Sequence, residues 1–186
     1  MTRAWFSIPI TDDLKLVQPE IYMGQEVFNL VTENREHLNQ FLPWVEQMIA
    51  KELEENFIRS MQMAHIQGTS QLFFIASGDD IIGAIDLHNI NQSVRKADIG
   101  YWLSNKISGQ GIMTTVVKFF CNYAFTVLTF NKLTLQIDVA NTASNRVAEK
   151  CHFQFIGMHP ADFNLHGELR DMNYYALLNP NNKHSS

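Results

Sequence analysis

The hydrophobic period of this chain changes at Gly68, and that change restricts the folds open to it. From residue 21 to Gly68 the apolar residues recur at helical spacing. Tyr22, Val27, Leu30, Val31, Leu38, Phe41 and Leu42 do so across residues 21–42, with a break near Asn34 and an interruption at Pro43-Trp44. Leu53, Phe57, Met61 and Ala64 do so on one side of residues 51–66, and the acidic run Glu52-Leu53-Glu54-Glu55 reads as a solvated helix face. Gly68, tolerant of positive φ, ends that helix. After it the pattern is that of strands. Leu72-Phe73-Phe74-Ile75-Ala76 is a buried strand, Ser77-Gly78-Asp79-Asp80 has turn chemistry, and residues 81–88 return as the second arm of a hairpin.

The remaining elements alternate. Leu14-Lys15-Leu16-Val17, stopped by Pro19, reads as a first edge strand. Residues 97–103 form a third strand of the hairpin region, with Gly100 marking a bulge or a close backbone approach. A loop over 104–110 precedes a helix over 112–128, whose apolar face is Met113, Val116, Val117, Phe120, Ala124 and Val127. A strand over 133–139, a short helix over 143–151 and strands over 153–158 and 170–178 complete the order. The pattern predicts one α/β (α+β) domain over residues 1–178, built on a mixed, mostly antiparallel sheet, with a polar tail over 179–186.

Composition excludes several classes of function. The formal charge of −5 argues against nucleic acid and anionic membranes as partners, because both are bound through basic surface. No apolar run approaches the roughly 20 residues of a membrane span, and the start offers no continuous signal-peptide core. Cys121 and Cys151 form no C-x-x-C pair and read as reduced thiols of a cytoplasmic protein. His152, His159 and His166 recur every seven residues but lie in a helix end, a strand and a loop, which is not metal-ligand spacing.

Two segments carry chemistry. In the first, the strand Ile99-Gly100-Tyr101-Trp102-Leu103 leads to Ser108-Gly109-Gln110-Gly111-Ile112-Met113-Thr114. A strand, a Gly-x-Gly turn and a helix start make an anion site: glycines let backbone N–H groups converge, and the helix dipole adds positive charge. Such a turn suits a pyrophosphate; equally, it is a plain glycine-rich connection. It lacks the Gly-Lys-Ser/Thr of a nucleotide P-loop and the second Gly-x-x-Gly spacing of a dinucleotide site. In the second, a strand ends at Asn141-Thr142-Ala143-Ser144-Asn145-Arg146-Val147-Ala148-Glu149-Lys150, where Asn141 and Ser144 either cap the helix or meet a ligand.

Together, in this order, the two segments resemble the coenzyme motifs of the GNAT N-acetyltransferases, and within them the RimJ/RimL type that acetylates ribosomal-protein N-termini. The resemblance runs over about residues 14–178 and includes Asn34-Arg35-Glu36-His37-Leu38 and Leu42-Pro43-Trp44. It implies a GNAT fold in which the strand holding Tyr101 splays from its neighbour to form the acetyl-CoA cleft. It also implies that the backbone of Tyr101, Trp102 and Leu103 pairs with the pantetheine arm, that the amides of residues 109–114 hold the pyrophosphate, and that Asn141 orients the pantetheine. Two positions depart from the family pattern. Ser108 stands where Gln or Arg is usual, and His152 replaces a glycine.

The same resemblance gives Ser144 as the acid that protonates the leaving thiolate, Asp162 in the loop Pro160-Ala161-Asp162-Phe163 as the base, and the Leu103 N–H as the oxyanion donor. Tyr101 and Glu168 are reserve candidates. The implied acceptor is a primary amine, first a protein α-amino group such as that of a ribosomal protein, second a small amine; a homodimer is the implied assembly. A non-catalytic acyl-CoA-binding module is the rival from another class.

Overall fold

The computed structural model describes residues 5–181. Strand β1 (Ser7–Pro9) and β2 (Leu14–Val17) open the chain. A single 3-10 turn (Ile21–Met23) then leads into α1 (Gly24–Glu33) and α2 (Arg35–Leu38), and a second 3-10 turn (Pro43–Glu46) precedes α3 (Lys51–Ile66). Strands β3 (Gln71–Ser77), β4 (Asp80–Asn91) and β5 (Lys96–Leu103) follow, then a 3-10 turn (Asn105–Ile107) and α4 (Ile112–Thr126). Strand β6 (Lys132–Asp138), α5 (Thr142–Lys150), β7 (Gln154–Leu165) and β8 (Glu168–Leu178) complete the fold. The eight strands hydrogen-bond in the order β1-β2-β3-β4-β5-β6-β8-β7, with helices on the flanks. The pairs β1/β2, β2/β3, β3/β4, β6/β8 and β7/β8 are antiparallel, whereas β5/β6 is parallel. This is the mixed, mostly antiparallel α/β architecture that the pattern predicts.

The chain divides into two compact units. One runs to Leu87 and takes in Gly100–Gln110; the other comprises His88–Ile99 and the chain from Gly111 onward. In the first, Val17, Met23, Val27, Val31, Leu38, Val45, Ile58, Leu72, Phe74 and Ala84 form the core, and Trp44 and Trp102 pack half-buried against it. The break near Asn34 is real, but the helical stretch ends earlier than the pattern predicts, at Leu38; Pro43-Trp44 instead opens the second 3-10 turn, with Trp44 packed on the core. In the second unit, Met113, Val116, Val117, Phe120 and Ala124 turn the face of α4 inward, where Leu133, Leu135 and Ile137 of β6 are also buried.

Four expectations change. Leu14–Val17 is no edge strand: β1 covers its outer side, and residues this close to the chain start carry too little pattern to announce a three-residue partner. Helix α4 stops at Thr126, and Val127 beyond it is exposed. Asn179 is not frayed tail but buried, its amide donating to the carbonyls of Phe125 (3.4 Å) and Phe130 (3.0 Å); the tail residues from 182 on lie outside the described residues. Finally, the acidic run on α3 is solvated only in part: Glu52 is exposed and Glu55 half-buried. Glu54 is buried beside Ile58, one turn on, while Leu53 and Phe57 are each 42% exposed. Burial without a described ion pair pushes the Glu54 carboxyl up to about 7.

Candidate active site

Glycines shape the approach to the site in two different ways. Gly83 on β4 has an ordinary φ but no room: a Cβ there would lie 2.3 Å from the Trp102 carbonyl oxygen and 3.1 Å from the Leu103 Cα. The bare backbone of β4 therefore lets β5 come close at the residues the sequence marks for the pantetheine. Tyr101, Trp102 and Leu103 are half-buried, and the Ser104 N–H donates to the Ile82 carbonyl at 2.8 Å just beyond them. The Trp102 ring lies tilted against Trp44, with centroids 6.3 Å apart. The chain then makes its 3-10 turn, the Ser108 N–H donating to the Asn105 carbonyl at 3.1 Å, and Ser108, Gly109 and Gln110 are exposed.

Gly111 is the opposite case. Its φ is +81°, in the left-handed region that L side chains avoid, and nothing lies within 4 Å of where a Cβ would be. It is the N-cap of α4 and no side chain caps that helix. The first intrahelical bond is donated by the Thr115 N–H to the Gly111 carbonyl at 3.1 Å, so the amides of Gly111, Ile112, Met113 and Thr114 come before the helix's own bonding begins. No acidic residue sits in the first turn. A helix start with uncommitted amides, positive dipole and no opposing carboxylate fits a pyrophosphate.

Helix α5 begins differently. The Asn141 side-chain oxygen accepts from the Ser144 N–H at 3.1 Å, so Asn141 is an N-cap and holds Ser144 in the first turn. The next residue anchors this start. The Asn145 amide donates to the carbonyls of Asp138 (3.0 Å) and Asn141 (2.8 Å), and its oxygen accepts from the Asn173 amide and the Tyr175 hydroxyl, both at 2.8 Å. Arg170 Nε donates to the Asp138 carboxylate at 3.0 Å, whose other oxygen takes the Ala140 N–H at 2.7 Å. Four side-chain bonds on Asn145 thus tie the end of β6, the start of α5 and β8 together. The sequence offers no sign of this hub beyond a polar residue next to Ser144, because its partners are fixed by the β6/β8 register. His152, standing where the family pattern has glycine, has φ +63°, in the left-handed region that favours glycine.

Asp162 lies apart from this group. It is not in a loop but inside β7, at the irregularity where His159 pairs with Met172 and Phe163 with Arg170. Ala161 there has φ +52° and its N–H donates to the Asp171 carboxylate at 2.8 Å. The Asp162 carboxylate accepts from the Tyr174 hydroxyl, which also bonds Gln136 at 3.2 Å, and the His159 ring stacks on Tyr174 at 4.0 Å. That hydrogen bond is the main cause that pushes the Tyr174 phenol up to about 12; burial and the charges of Asp162 and Asp98 add to it. Glu168, at the start of β8, is exposed and bonds Arg170 at 3.5 Å.

The thiols are poor nucleophiles. Burial raises the Cys121 thiol, with the Cys151 charge adding to it; burial also raises Cys151, against an opposing pull from Lys118. The Cys151 Sγ–H donates to the Thr114 carbonyl at 3.6 Å, so this thiol packs the end of α5 on the first turn of α4.

The acetyltransferase (GNAT) domain family matches residues 14–154. The chain belongs to the GNAT acetyltransferase family. It is 26% identical to the ribosomal-protein-serine acetyltransferase of Escherichia coli over 92% of this chain and 96% of that one. The solved structure of RimL, the ribosomal L7/L12 α-N-protein acetyltransferase in complex with coenzyme A, superposes with a TM-score of 0.88 at 26% identity, covering 92% of this chain and 97% of that one. A spermidine N(1)-acetyltransferase of E. coli is 30% identical over a shorter stretch, 58% of each chain. This GNAT chain is an acyltransferase that uses acetyl-CoA, and the amides at the start of α4 fit the diphosphate of that donor. Among the described residues no helix is long and apolar enough to cross a membrane.

Proposed function

We propose that this acetyltransferase acts on the N-terminal α-amine of a polypeptide, a ribosomal protein being the first choice, in the cytoplasm. The observation that carries this reading is the near full-length likeness to RimL and to the E. coli ribosomal-protein-serine enzyme, which includes the helical region before Gly68 as well as the coenzyme segments. The likeness to the spermidine enzyme covers only 58% of the chain, and it supports a polyamine or other small amine as the second reading.

In this reading the backbone of Tyr101–Leu103 pairs with the pantetheine and the Leu103 N–H polarises the thioester carbonyl. The amides of residues 109–114 hold the pyrophosphate, while Asn141 turns its amide N–H groups toward the pantetheine and caps α5 with its oxygen. Ser144, fixed by that cap and by Asn145, supplies the proton to the leaving thiolate. Asp162 receives the proton of the amine, directly or through water, with Tyr174 holding its carboxylate. The demand on that base is small. An α-amine of pKa about 7.7–8.0 is already roughly one-tenth neutral at pH 7, whereas a lysine would need about 4–5 kcal/mol for deprotonation. Two copies of the chain form the assembly, the exposed Phe155 and Ile156 of the outer strand β7 supporting this part of the reading.

A thiol-release assay that compares N-terminal peptides with spermidine and other small amines tests the acceptor: peptides should turn over faster. Preference for small amines would replace the first reading by the second. Ser144→Ala should lower kcat by about 100-fold, the low end of general acid–base effects, and Asp162→Asn by no more than about tenfold, because so little deprotonation work is needed. Full turnover by Ser144→Ala would remove Ser144 from the acid role.

A further inference from the structure

We propose that Asn34 is a positioning residue for the coenzyme loop: from the junction of α1 and α2 it fixes the turn that delivers the chain to Gly109. The inference rests on the reading of residues 109–114 as the pyrophosphate site. Asn34 is 5% exposed and all of its described side-chain bonds are directional. Its amide N–H donates to the Leu30 carbonyl at 2.8 Å. Its oxygen accepts from the Ser104 hydroxyl at 3.1 Å and from the Asn105 backbone N–H at 2.8 Å. A backbone carbonyl can only accept and a backbone N–H can only donate, so these partners leave a single orientation for the amide. Ser104 is itself 3% exposed, and its N–H is bonded to the Ile82 carbonyl. The Asn34–Ser104 bond is therefore buried, while the Asn105 bond beside it is part-buried.

The bonds continue toward the glycine turn. The carbonyl of Asn105, whose N–H Asn34 holds, accepts from the Ser108 N–H at 3.1 Å, and the Ser104 carbonyl accepts from the Ile107 N–H at 3.3 Å. Gly109 follows at once. The residues beside Asn34 stiffen the anchor. Arg35 donates through its guanidinium to the carbonyls of Val45 and Met48, and Glu33 pairs with Lys106 at 2.7 Å. The Glu33–Lys106 pair is exposed and contributes little by itself; the buried amide is the part that fixes position. Removing it takes the partner from the buried Ser104 hydroxyl and the acceptor from the part-buried Asn105 N–H, and the turn shifts to satisfy them.

The test pairs calorimetric titration with coenzyme A and steady-state kinetics on the full chain, for the wild type, Asn34→Ala, Asn34→Asp and Ser104→Ala. Asn34→Asp keeps an oxygen for both donors, and Ser104→Ala removes one bond. We expect Asn34→Ala to raise the coenzyme A Kd and the acetyl-CoA KM about tenfold, with kcat at saturation and the acceptor KM within twofold of wild type. Ser104→Ala should raise both coenzyme constants about threefold, and Asn34→Asp should recover part of the loss. A merely structural role would lower kcat in step with folded protein and spare KM, and that result overturns the proposal. So does coenzyme A affinity within twofold of wild type in Asn34→Ala or, if that variant does not fold, in Ser104→Ala. Absence of coenzyme A uptake by the wild type would instead overturn the pyrophosphate reading, and this inference with it.

Discussion

Helices α3 and α4 are of nearly equal length, 16 and 15 residues, yet they bury opposite kinds of face. Helix α4 turns inward the apolar residues that its spacing marks, and of these Val116, Val117, Phe120 and Ala124 are fully buried. Helix α3 buries Glu54 and Ile58 and leaves Leu53, Phe57, Met63 and Ile66 exposed. Apolar residues dominate α4, so only one rotation about its axis can bury them. In α3 they are a minority, and the stripe through Leu53 and Phe57 competes with one through Glu54 and Ile58. Periodicity shows that a helix is present; it fixes which side faces the core only when one stripe clearly outweighs the others.

The contrast can be broken by mutation. The largest effect is expected for Phe120→Ala, fully buried on α4, which should lose about 3–5 kcal/mol in denaturant unfolding. A loss below about 1 kcal/mol would mean that α4 is not the packed helix of its unit. Next comes Glu54→Gln on α3. The folded-state pKa of Glu54, about 7, exceeds its value of 4.5 in the unfolded chain, so the folded state holds the proton more tightly. Stability is therefore full below pH 4.5, falls as the carboxyl ionises between there and about pH 7, and stays lowered above. Relative to wild type, the variant should gain up to roughly 3 kcal/mol at pH 8 and nothing at pH 4. A pH-independent difference would return Glu54 to a solvated face.

Gly111→Ala acts on the start of α4 rather than its face. With open space around the new Cβ, the cost is the left-handed backbone, about 1–2 kcal/mol, and isothermal titration should show coenzyme A binding weakened about 5- to 30-fold. Unchanged binding would mean that the helix-start amides do not hold the ligand. The smallest effect belongs to Phe57→Ala, half-exposed on α3, which should move stability by less than about 1 kcal/mol.

Much of the site was legible for a local reason. A glycine that needs positive φ and an uncapped helix start are properties of five or six consecutive residues, so Gly109, Gly111 and α4 announce themselves wherever the chain places them. The N-cap at Asn141 is legible in the same way, since Ser144 is only three residues away. Asp162 was misplaced because loop chemistry, Pro160-Ala161, here serves a bulge within an outer strand, and only the pairing with β8 reveals it. Such a bulge and proline also blunt an edge strand against unwanted pairing. The hub at Asn145 went unseen because the donors to its side-chain oxygen, Asn173 and Tyr175, lie 28 and 30 residues further on.

The sequence by itself determined the alternation of helices and strands, the mixed sheet they build, and the glycine turn that opens α4, because each follows from period or from the conformational reach of a few neighbouring residues. Only the tertiary structure decided which side of α3 is inside, why Gly83 must be bare, and that Asn34 meets Ser104 across 70 residues of chain. Those outcomes depend on packing and on hydrogen bonds between distant segments. Their energies exist only once the segments meet, and no local pattern can encode the partner.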